Sequence, residues 1–461
     1  MAEDIYDVLI IGAGQAGVPL SHALAGAGKR VALVERQHLG GSCVNFGCTP
    51  TKAVIASAAL AHRARRAVEF GLRIPTVDVD FAAVLDRAKS IVRDFRGGIE
   101  KGLRSTENPK LLHGHARLEG RIADGFRVNI ADQAVTAKQV VLDTGTRSLI
   151  PPIDGLSSVD YIHAGNWLDH SALPEYLLII GGGYVGLEMA QFYRRMGSHV
   201  TVLQRAGQVM PREDAEVASE LQKLLEAEAI EFHLNSQVVA VRRDEEGLSV
   251  MAEESGCRTE ISCSHLFVAV GRVPNTNDLG LETVGVRTSE RGIVEIDERL
   301  RTSVPGIWVA GDIRGNGMFT HTAWDDYRIL FSQIVGDGSD TTDRVMVYAI
   351  FTDPQLGRAG MTETEARATG KPVKIGLYEM KHNGRAIETG DTQGFIKVVI
   401  DANTDSILGA AVLAAEGAEL VHMYAEVMNA DAPYTVIRDA IHIHPTLAEA
   451  VQSAVSSLEA R

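Results

Sequence analysis

The same strand, glycine turn, helix and strand pattern occurs twice in this chain. In the first copy an apolar strand over residues 8–11 runs into Gly12, Gly14 and Gly17, and a helix and a second apolar strand follow. The first glycine of this spacing makes a tight turn, the second lets the backbone approach a pyrophosphate, and the third lets the helix pack on the strand. The amides at the helix N-terminus then face the phosphates. The pattern predicts a parallel α/β unit of the Rossmann type.

The second copy repeats this geometry with a different chemical ending. Its glycines are Gly181, Gly183 and Gly186. The first copy ends at Glu35, a carboxylate that can accept hydrogen bonds from an adenosine ribose, whereas the equivalent residue of the second copy is the neutral Gln204. Arg205 follows directly and Arg212 lies close behind. Loss of a negative charge and gain of two positive ones suit a 2′-phosphate, which predicts NADPH, with NADH possible. Arginines that are merely solvated loop residues are the alternative.

Length and charge bound the remaining possibilities. A chain of 461 residues is too long for one core and predicts about three domains. The net charge of −15 argues against a nucleic-acid partner, because the surface cannot neutralise a phosphate backbone. The N-terminal segment MAEDIYDVLIIGAG is acidic where a signal peptide is basic, and no apolar run approaches the roughly 20 residues that span a bilayer. We therefore expect no membrane association and a cytoplasmic location.

The segment GGSCVNFGCTPTK places two of the four cysteines, Cys43 and Cys48, five positions apart. In a cytosolic protein such a pair is more often catalytic or metal-binding than a structural disulfide. If the two residues bond, the segment between them must be an irregular loop, for which Gly47 provides backbone freedom. Thr49 and Pro50 resemble an N-cap and a first helical position. Cys48 would then lie at a helix N-terminus, where the helix dipole favours a thiolate.

Two other interpretations of the cysteines remain open. A zinc site needs two more ligands, and the other cysteines, Cys257 and Cys263, have a spacing that fits no common zinc pattern. Two buried, unreactive thiols are the second alternative. We expect no metal.

Five segments together resemble a known family. They are GGSCVNFGCTPTK (40–52), VVLDTGTRSLIPP (140–152), FVAVGRVPNT (267–276), GIWVAGDIRG (306–315) and HIHPTLAE (442–449). Their content and order resemble the FAD-dependent pyridine nucleotide–disulfide oxidoreductases, the family of glutathione reductase and lipoamide dehydrogenase. The resemblance implies an α/β fold with two Rossmann-like domains, for FAD and for NAD(P), and a C-terminal α+β dimerisation domain.

The implied domain boundaries follow from the positions of these segments. We expect an FAD domain over residues 1–150, an NAD(P) domain over 151–271, a central segment over 272–342 that completes the flavin site, and a dimerisation domain over 343–461. The resemblance also implies that Cys48 faces the flavin and that Cys43 is the interchange thiol facing substrate.

The resemblance assigns roles to three residues beside the flavin. Lys52 would pair with Glu188, which also explains a cation in a first helical turn where the dipole disfavours it; a bare surface lysine is the alternative. Tyr184 would cover the flavin until the nicotinamide arrives, or it is a packed aromatic residue. The other flavin and nucleotide contacts that it implies are Gly41, Ser42, His115, Thr144, Gly145, Gly271, Asp312 and Thr320. Asp312 would reach the ribityl hydroxyls unless it only forms a turn, and a helix beginning near Thr320 would stabilise negative charge on reduced flavin.

The C-terminal segment offers an acid–base pair. His444 has a side chain suited to proton transfer near neutral pH, and Glu449 would orient it. Thr446 and Glu449 also match a capping box, so Glu449 could cap a helix as well. In the family this histidine comes from the second subunit, which implies a homodimer with shared active sites.

The implied function is transfer of electrons from NADPH through FAD to a Cys43–Cys48 disulfide and on to a small disulfide or thiol-oxidising molecule. Reduction of Hg(II) is an alternative, although no cysteine follows Cys263. Dihydrolipoamide dehydrogenase is another, against which Gln204, Arg205 and Tyr184 stand. A non-catalytic flavin scaffold would not need the thiols.

Overall fold

The computed structural model describes residues 5–244 and 247–460, so the acidic residues Glu3 and Asp4 of the N-terminal expectation lie outside the described residues. The first part of the chain forms a Rossmann-like unit. Its strands are β1 (Ile5–Ile11), β2 (Val31–Glu35), β3 (Lys110–His113), β4 (Ala116–Ile122), β5 (Gly125–Ile130), β6 (Gln133–Leu142) and β7 (Thr146–Ser148). Its helices are α1 (Gly17–Gly26), α2 (Gly41–Asn45), α3 (Cys48–Arg65) and α4 (Phe81–Arg104). Strands β3, β2, β1 and β6 lie side by side and parallel, and β5 and β4 continue the sheet antiparallel. The apolar runs of β1 and β6 are fully buried, as expected of strands covered on both faces.

The second unit repeats this architecture. Its strands are β8 (Ile162–His163), β9 (Tyr176–Ile180), β10 (His199–Leu203), β11 (Ile230–His233), β12 (Ser236–Asp244), β13 (Gly247–Glu254), β14 (Cys257–Cys263) and β15 (His265–Val268). Its helices are α5 (Tyr184–Met196) and α6 (Ala215–Ala227). The parallel sheet has the order β11-β10-β9-β15-β8, and β12, β13 and β14 form a separate antiparallel sheet. Each glycine turn therefore lies at the carboxyl end of a central strand.

After the second unit the chain returns to the first. This segment contains β16 (Arg272–Pro274), α7 (Leu281–Val284), β17 (Ile307–Val309) and α8 (Thr320–Val335). Strand β16 pairs with β7, and β17 joins the first sheet parallel to the end of β6. Leu20 and Leu24 of α1 share one buried cluster with Ile329 and Leu330 of α8. The returning segment thus packs α8 against α1 of the first unit.

The C-terminal part is an α+β unit around an antiparallel sheet. Its strands are β18 (Val347–Ile350), β19 (Gln355–Gly360), β20 (Val373–Glu379), β21 (Phe395–Asp401), β22 (Ile407–Ala414) and β23 (Glu459–Ala460). Its helices are α9 (Glu363–Ala368), α10 (Gly384–Thr389), α11 (Gly417–Leu420), α12 (His422–Asn429), α13 (Thr435–Asp439) and α14 (Ala448–Ser456). The sheet order is β18-β19-β22-β21-β20-β23. The predicted fold class, two Rossmann-like units and a C-terminal α+β unit, is confirmed.

Across the described residues, none of the helices combines the length and the apolar character needed to cross a bilayer.

Candidate active site

The two close cysteines lie on consecutive helices that meet at a sharp break. Cys43 is in the short helix α2, and Cys48 is the first residue of α3. Between them Gly47 turns back, and its N–H donates to the carbonyl of Ser42 at 2.7 Å. A Cβ on Gly47 would lie 2.9 Å from that same carbonyl oxygen, so only glycine fits the break. With both cysteines as free thiols, the segment is helical up to Asn45 and breaks at residues 46 and 47, and the irregular loop expected of a bonded pair stays a prediction.

The start of α3 also differs from the expectation. The helix begins at Cys48 with Gly47 as its N-cap, two positions before Pro50, so Thr49 is not the cap. Proline is tolerated there because the first N–H groups of a helix have no partner within the helix. Cys48 consequently lies directly at the helix N-terminus, as the sequence predicts.

The two thiols differ in acidity. The pKa of Cys48 is lowered to about 6, chiefly because the Cys43 thiol donates a hydrogen bond to it and further because of the Thr320 hydroxyl and the positive charge of Lys52. The pKa of Cys43 is raised by that same bond, by burial and by the neighbouring charge. Both cysteines are free thiols in this structure, and the Cys48 Sγ lies 3.3 Å from the Thr320 Oγ1 at the start of α8. At neutral pH Cys48 is thus the thiolate and Cys43 the thiol.

An ion pair between a half-buried lysine and a buried glutamate stands one helical turn from Cys48. The Nζ of Lys52 lies 2.9 and 2.8 Å from the two carboxylate oxygens of Glu188, which is 5% exposed. Glu188 also accepts the N–H of Phe351 at 2.9 Å, and the Lys52 ammonium lies 4.6 Å from the centre of the Phe351 ring. The structure therefore joins α3 of the first unit, α5 of the second and the C-terminal unit at one charged contact. The ammonium of Lys52 compensates the buried carboxylate of Glu188, which would be strongly unfavourable if it were unpaired.

Three aromatic rings form a cluster at the start of α5. The ring of Tyr184 packs edge-on against Phe319 and Tyr348, with centroids 5.8 and 5.7 Å away, and the latter two stack at 5.3 Å. The Tyr348 hydroxyl donates to Glu213, which pairs with the buried Arg358. The ring of Tyr184 is therefore held from two sides. Phe319 and Tyr348 are absent from the sequence-based site, because only the fold brings residues so distant in sequence together.

The two glycine turns have the same backbone geometry. Gly12 and Gly181 both have φ of +112°. A Cβ on Gly12 would lie 2.1 Å from the Asp143 carbonyl oxygen, and one on Gly181 would lie 2.4 Å from that of Ala269. The third glycines are equally confined. A Cβ on Gly17 would lie 2.1 Å from the Gly12 oxygen, and one on Gly186 would lie 1.9 Å from the Gly181 oxygen.

The strand-end residues are held in the same way but differ in exposure. Glu35 accepts the Ala13 N–H at 3.0 Å, and Gln204 accepts the Gly182 N–H at 3.1 Å. Glu35 is partly exposed, whereas Gln204 is 9% exposed and also donates to the Gln208 carbonyl at 3.3 Å. The amide of Gln204 is therefore engaged within the protein.

The cationic residues that follow Gln204 are accessible. Arg205 and Arg212 are exposed, and neither makes an ion pair within the described ranges. If the second unit distinguishes nucleotides by their charge, these two guanidinium groups are the ones available to do so.

A polar network lines the return of the chain to the first unit. Asp312 lies in the turn after β17 and accepts the Thr146 hydroxyl at 2.9 Å. Arg272 donates to the same hydroxyl at 2.6 Å and approaches Asp312 at 3.8 Å and the Ser42 Oγ at 3.4 Å. Burial lowers the pKa of Arg272. The neighbourhood of the cysteine loop thus contains a guanidinium that the sequence did not single out.

Three of the other expected contacts, Thr144, Gly145 and Gly271, flank the paired strands β7 and β16. The hydroxyl of Thr144 donates to the Asn275 carbonyl at 2.8 Å, and the Gly145 carbonyl accepts the Asn275 N–H at 2.9 Å. Gly271 accepts the Leu149 N–H at 2.9 Å. His115 is exposed, and its Nε2 lies 3.0 Å from the Asp278 carbonyl. Gly41 packs on the first glycine turn, since a Cβ there would lie 3.0 Å from the Gly14 Cα.

His444 and Glu449 contact each other on the C-terminal unit. The Nδ1 of His444 lies 3.0 Å from a carboxylate oxygen of Glu449, whose other oxygen accepts the Thr446 N–H at 2.9 Å. These contacts lower the pKa of Glu449, the backbone one first. The capping box is only half formed, because the Thr446 hydroxyl donates to the Ile443 carbonyl and α14 begins at Ala448. The His444 side chain is 77% exposed on this chain.

Comparison with known proteins identifies the family. Residues 6–326 match the family described as pyridine nucleotide-disulphide oxidoreductase, and residues 346–455 match its dimerisation domain. The chain belongs to the pyridine nucleotide-disulphide oxidoreductase family. Members of this family are FAD-dependent and use a pyridine nucleotide, so the resemblance inferred from the five segments is confirmed.

Similar proteins have several activities. The chain is 31% identical to the probable pyridine nucleotide-disulfide oxidoreductase RclA of Escherichia coli, covering 98% of this chain and 99% of that protein. It is 34% identical to a dihydrolipoyl dehydrogenase of Cupriavidus necator, with coverage of 99% and 98%, and 33% identical to a mercuric reductase of Streptomyces lividans, with coverage of 98% and 96%. A solved structure of RclA, described as an HOCl-induced flavoprotein disulfide reductase, matches with a TM-score of 0.88 at 31% identity and coverage of 98% and 99%.

The first unit fits FAD on its own geometry. The glycines of the Gly12–Gly17 turn leave its backbone open where α1 begins, and the Ala16 side chain does not cap that helix, although its first N–H, that of Gly17, already donates to Asp143. The hydrogen bond from the Ala13 N–H orients the Glu35 side chain towards the turn, and the hydrogen bond from the Thr146 hydroxyl orients Asp312. Among the described residues, no cluster of three or more histidine, cysteine or acidic side chains is suited to a metal ion.

Proposed function

We propose that this protein is a flavoprotein disulfide reductase that uses NADPH and FAD to keep Cys43 and Cys48 reduced and passes the electrons to a small disulfide or thiol-oxidising molecule. The observation that carries the proposal is the asymmetric thiol pair, with a stabilised thiolate on Cys48 at the N-termini of both α3 and α8. The Lys52–Glu188 pair beside it provides a fixed positive charge next to the expected flavin position.

The nucleotides bind to separate units in this proposal. The first glycine turn, Glu35 and Asp312 hold FAD, and the second glycine turn with Arg205 and Arg212 holds NADPH. Bound FAD would supply the two-electron redox chemistry that connects reduced nicotinamide with the Cys43–Cys48 disulfide. Tyr184 lies at the first position of α5, where it can cover the flavin face until the nicotinamide displaces it.

The thiols carry the second half of the reaction. Cys43, as thiolate, attacks one sulfur of the oxidant to form a mixed disulfide, and the first thiol product leaves after gaining a proton. Cys48 then attacks the Cys43 sulfur, which releases the second product and restores the Cys43–Cys48 disulfide. Because the pKa of Cys43 is raised, it needs a base to remove its proton before it can attack.

We assign that base to His444, oriented by Glu449. The side chain of His444 faces outward, and the neighbouring Ile441 and Ile443 are 100% and 78% exposed on this chain. Burial of these apolar residues against a second copy would bring His444 to the partner's thiols. The proposed assembly is therefore a homodimer with two shared active sites, in agreement with the dimerisation domain.

Reduction of a thiophilic metal ion is a second candidate. A mercuric reductase is among the relatives, and a solved structure described as a Cu(II) complex of RclA matches this chain with a TM-score of 0.89. Here two sulfur ligands would be Cys43 and Cys48 alone, since no cysteine follows Cys263. The metal ion would then be the substrate and the same thiol pair its reductant.

An anaerobic titration followed by a panel of oxidants tests the proposal. NADPH should reduce the bound flavin and then the thiol pair, taking up two reducing equivalents beyond the flavin. Small disulfides, hypohalous-type oxidants, lipoamide, Hg(II) and Cu(II) are then compared by kcat/KM. A chain that takes up no equivalents beyond the flavin would contradict the disulfide mechanism, and the preferred oxidant distinguishes the two candidates.

A further inference from the structure

Asp143 is a buried carboxyl group inside the first glycine turn that the mechanism does not use. It directly follows β6, is 7% exposed, and its N–H donates to the Ile11 carbonyl at 2.8 Å. Its Oδ2 accepts the N–H of Gly17, the first residue of α1, at 2.8 Å. The side chain thus occupies the N-terminus of the helix on which the diphosphate of FAD is proposed to bind.

Two glycine turns enclose this carboxyl group. A Cβ on Gly14 would lie 2.8 Å from the Asp143 Oδ2, and a Cβ on Gly311 would lie 2.9 Å from its Oδ1. Gly311 belongs to the turn that returns from the second unit and carries Asp312. Asp143 therefore links the two chain segments that would together surround the cofactor.

The charged groups around Asp143 are mostly of its own sign. Glu35 at the end of β2, Asp312 after β17 and Asp326 on α8 all act on it, and Asp143 itself makes no ion pair within the described part of the chain. The nearby arginines are committed to other acids: Arg314 and Arg344 pair with Asp326, and Arg272 approaches Asp312. Burial, followed by these carboxylates, raises the pKa of Asp143 well above its usual value.

The second unit provides an internal reference. Ala269 directly follows β15, and its N–H donates to the Ile180 carbonyl at 2.8 Å, as the Asp143 N–H does to Ile11. No side chain reaches the second glycine there, since a Cβ on Gly183 would meet nothing within 4 Å. The fold therefore does not require a carboxyl group at this position.

We propose that Asp143 positions FAD as a neutral carboxylic acid, so that at alkaline pH, where Asp143 of the flavin-free protein is ionised, FAD binding takes up one proton and weakens. The inference rests on the proposed placement of FAD on the first glycine turn. A neutral acid can donate one hydrogen bond while it accepts that of Gly17, whereas a carboxylate would place like charge beside the diphosphate. Ala269, at the equivalent position of the second unit, has no ionisable group and would not make binding of the second nucleotide depend on pH.

FAD affinity of the flavin-free protein as a function of pH tests this inference. The dissociation constant is measured by flavin fluorescence between pH 5.5 and 9 for the wild type, Asp143→Asn, Asp143→Ala and the exposed control Asp132→Asn. For the wild type and the control, the constant should rise with pH by up to about ten-fold per unit, the limit for one linked proton. In both Asp143 variants this rise should disappear, and at pH 9 they should bind FAD at least ten-fold more tightly than the wild type.

The outcomes separate the two proposals. Parallel pH profiles for the wild type and a folded Asp143 variant would overturn the inference and leave the proposed function intact. A wild-type chain that binds no FAD at any pH would instead contradict the proposed function. If Asp143→Asn does not fold, Asp143→Ala, which has the residue of the second unit, decides the question.

Discussion

The two glycine turns share a backbone geometry and differ in the residues at the ends of two neighbouring strands. In both, the first glycine packs on the carbonyl after a parallel strand and the third packs on the carbonyl of the first. The first unit has the acidic residues Glu35 and Asp143 where the second has Gln204 and Ala269. The first is also covered by the returning turn at Asp312. The comparison teaches that one backbone geometry can carry two different sets of side chains, and we propose that Glu35 with Asp143 and Gln204 with Ala269 help to decide which dinucleotide binds to each unit.

The largest effect is expected from adding a side chain to each glycine turn in a separate variant. An added Cβ at Gly17 or Gly186 would lie about 2 Å from a backbone oxygen, so strand and helix must separate. We expect Gly17→Ala to be recovered folded but without flavin. Gly186→Ala should keep its flavin and lose about 100-fold in the rate of flavin reduction by NADPH. Displacing the binding turn is expected to cost about 3 kcal/mol, and each 1.4 kcal/mol corresponds to a factor of ten. Flavin content and stopped-flow reduction measure the two effects. Loss of flavin only in Gly186→Ala would reverse the assignment of the units.

The next largest effect is expected from a substitution that lies outside both glycine turns. His444→Gln should retain FAD and its reduction by NADPH but lose about 10²–10⁴-fold in turnover with oxidant, the range for loss of a positioned acid–base group. Mixed dimers of His444→Gln and Cys43→Ser subunits should regain activity, because one of their two sites is intact. Inactive mixed dimers, with subunit exchange confirmed by mass spectrometry, would contradict the shared site.

A smaller effect concerns the second turn alone. Arg205→Ala should lose about 1–3 kcal/mol in kcat/KM for NADPH, the size of a charge-assisted contact, and little for NADH. Arg243→Ala, an exposed arginine on β12 of the same unit, is the matched control. Equal losses with both nucleotides would show that Arg205 does not contact the 2′-phosphate.

Much of this arrangement can be predicted from the sequence, because the motifs are local. The glycine spacing predicts both turns, and α8 begins at Thr320 as expected. The pairing of Lys52 with Glu188, across 136 positions, follows from the family resemblance and not from any local pattern.

Other features depend on the fold. Tyr348 meets Tyr184 only because the C-terminal unit packs beside α5, so no sequence spacing indicates their contact. The sequence does distinguish Asp143, because an acid directly follows an apolar strand where the second copy has alanine. Its burial cannot be predicted in this way, because two separate turns of the chain enclose the side chain. The sequence predicts that α3 begins at Pro50, because proline is most common at the first position of a helix. In the structure the helix begins two residues earlier, at Cys48, and Pro50 is its third residue.

The central claim is that both nucleotide units serve one thiol pair in which Cys48 is the thiolate. Anaerobic reduction by two electrons should produce a long-wavelength thiolate–flavin charge-transfer band. Because the pKa of Cys48 is lowered to about 6, the band should be full above that pH and fade as pH falls through it. Cys43→Ser should keep the band and Cys48→Ser should abolish it. A band that survives Cys48→Ser and disappears in Cys43→Ser would place the thiolate on Cys43 and contradict the account.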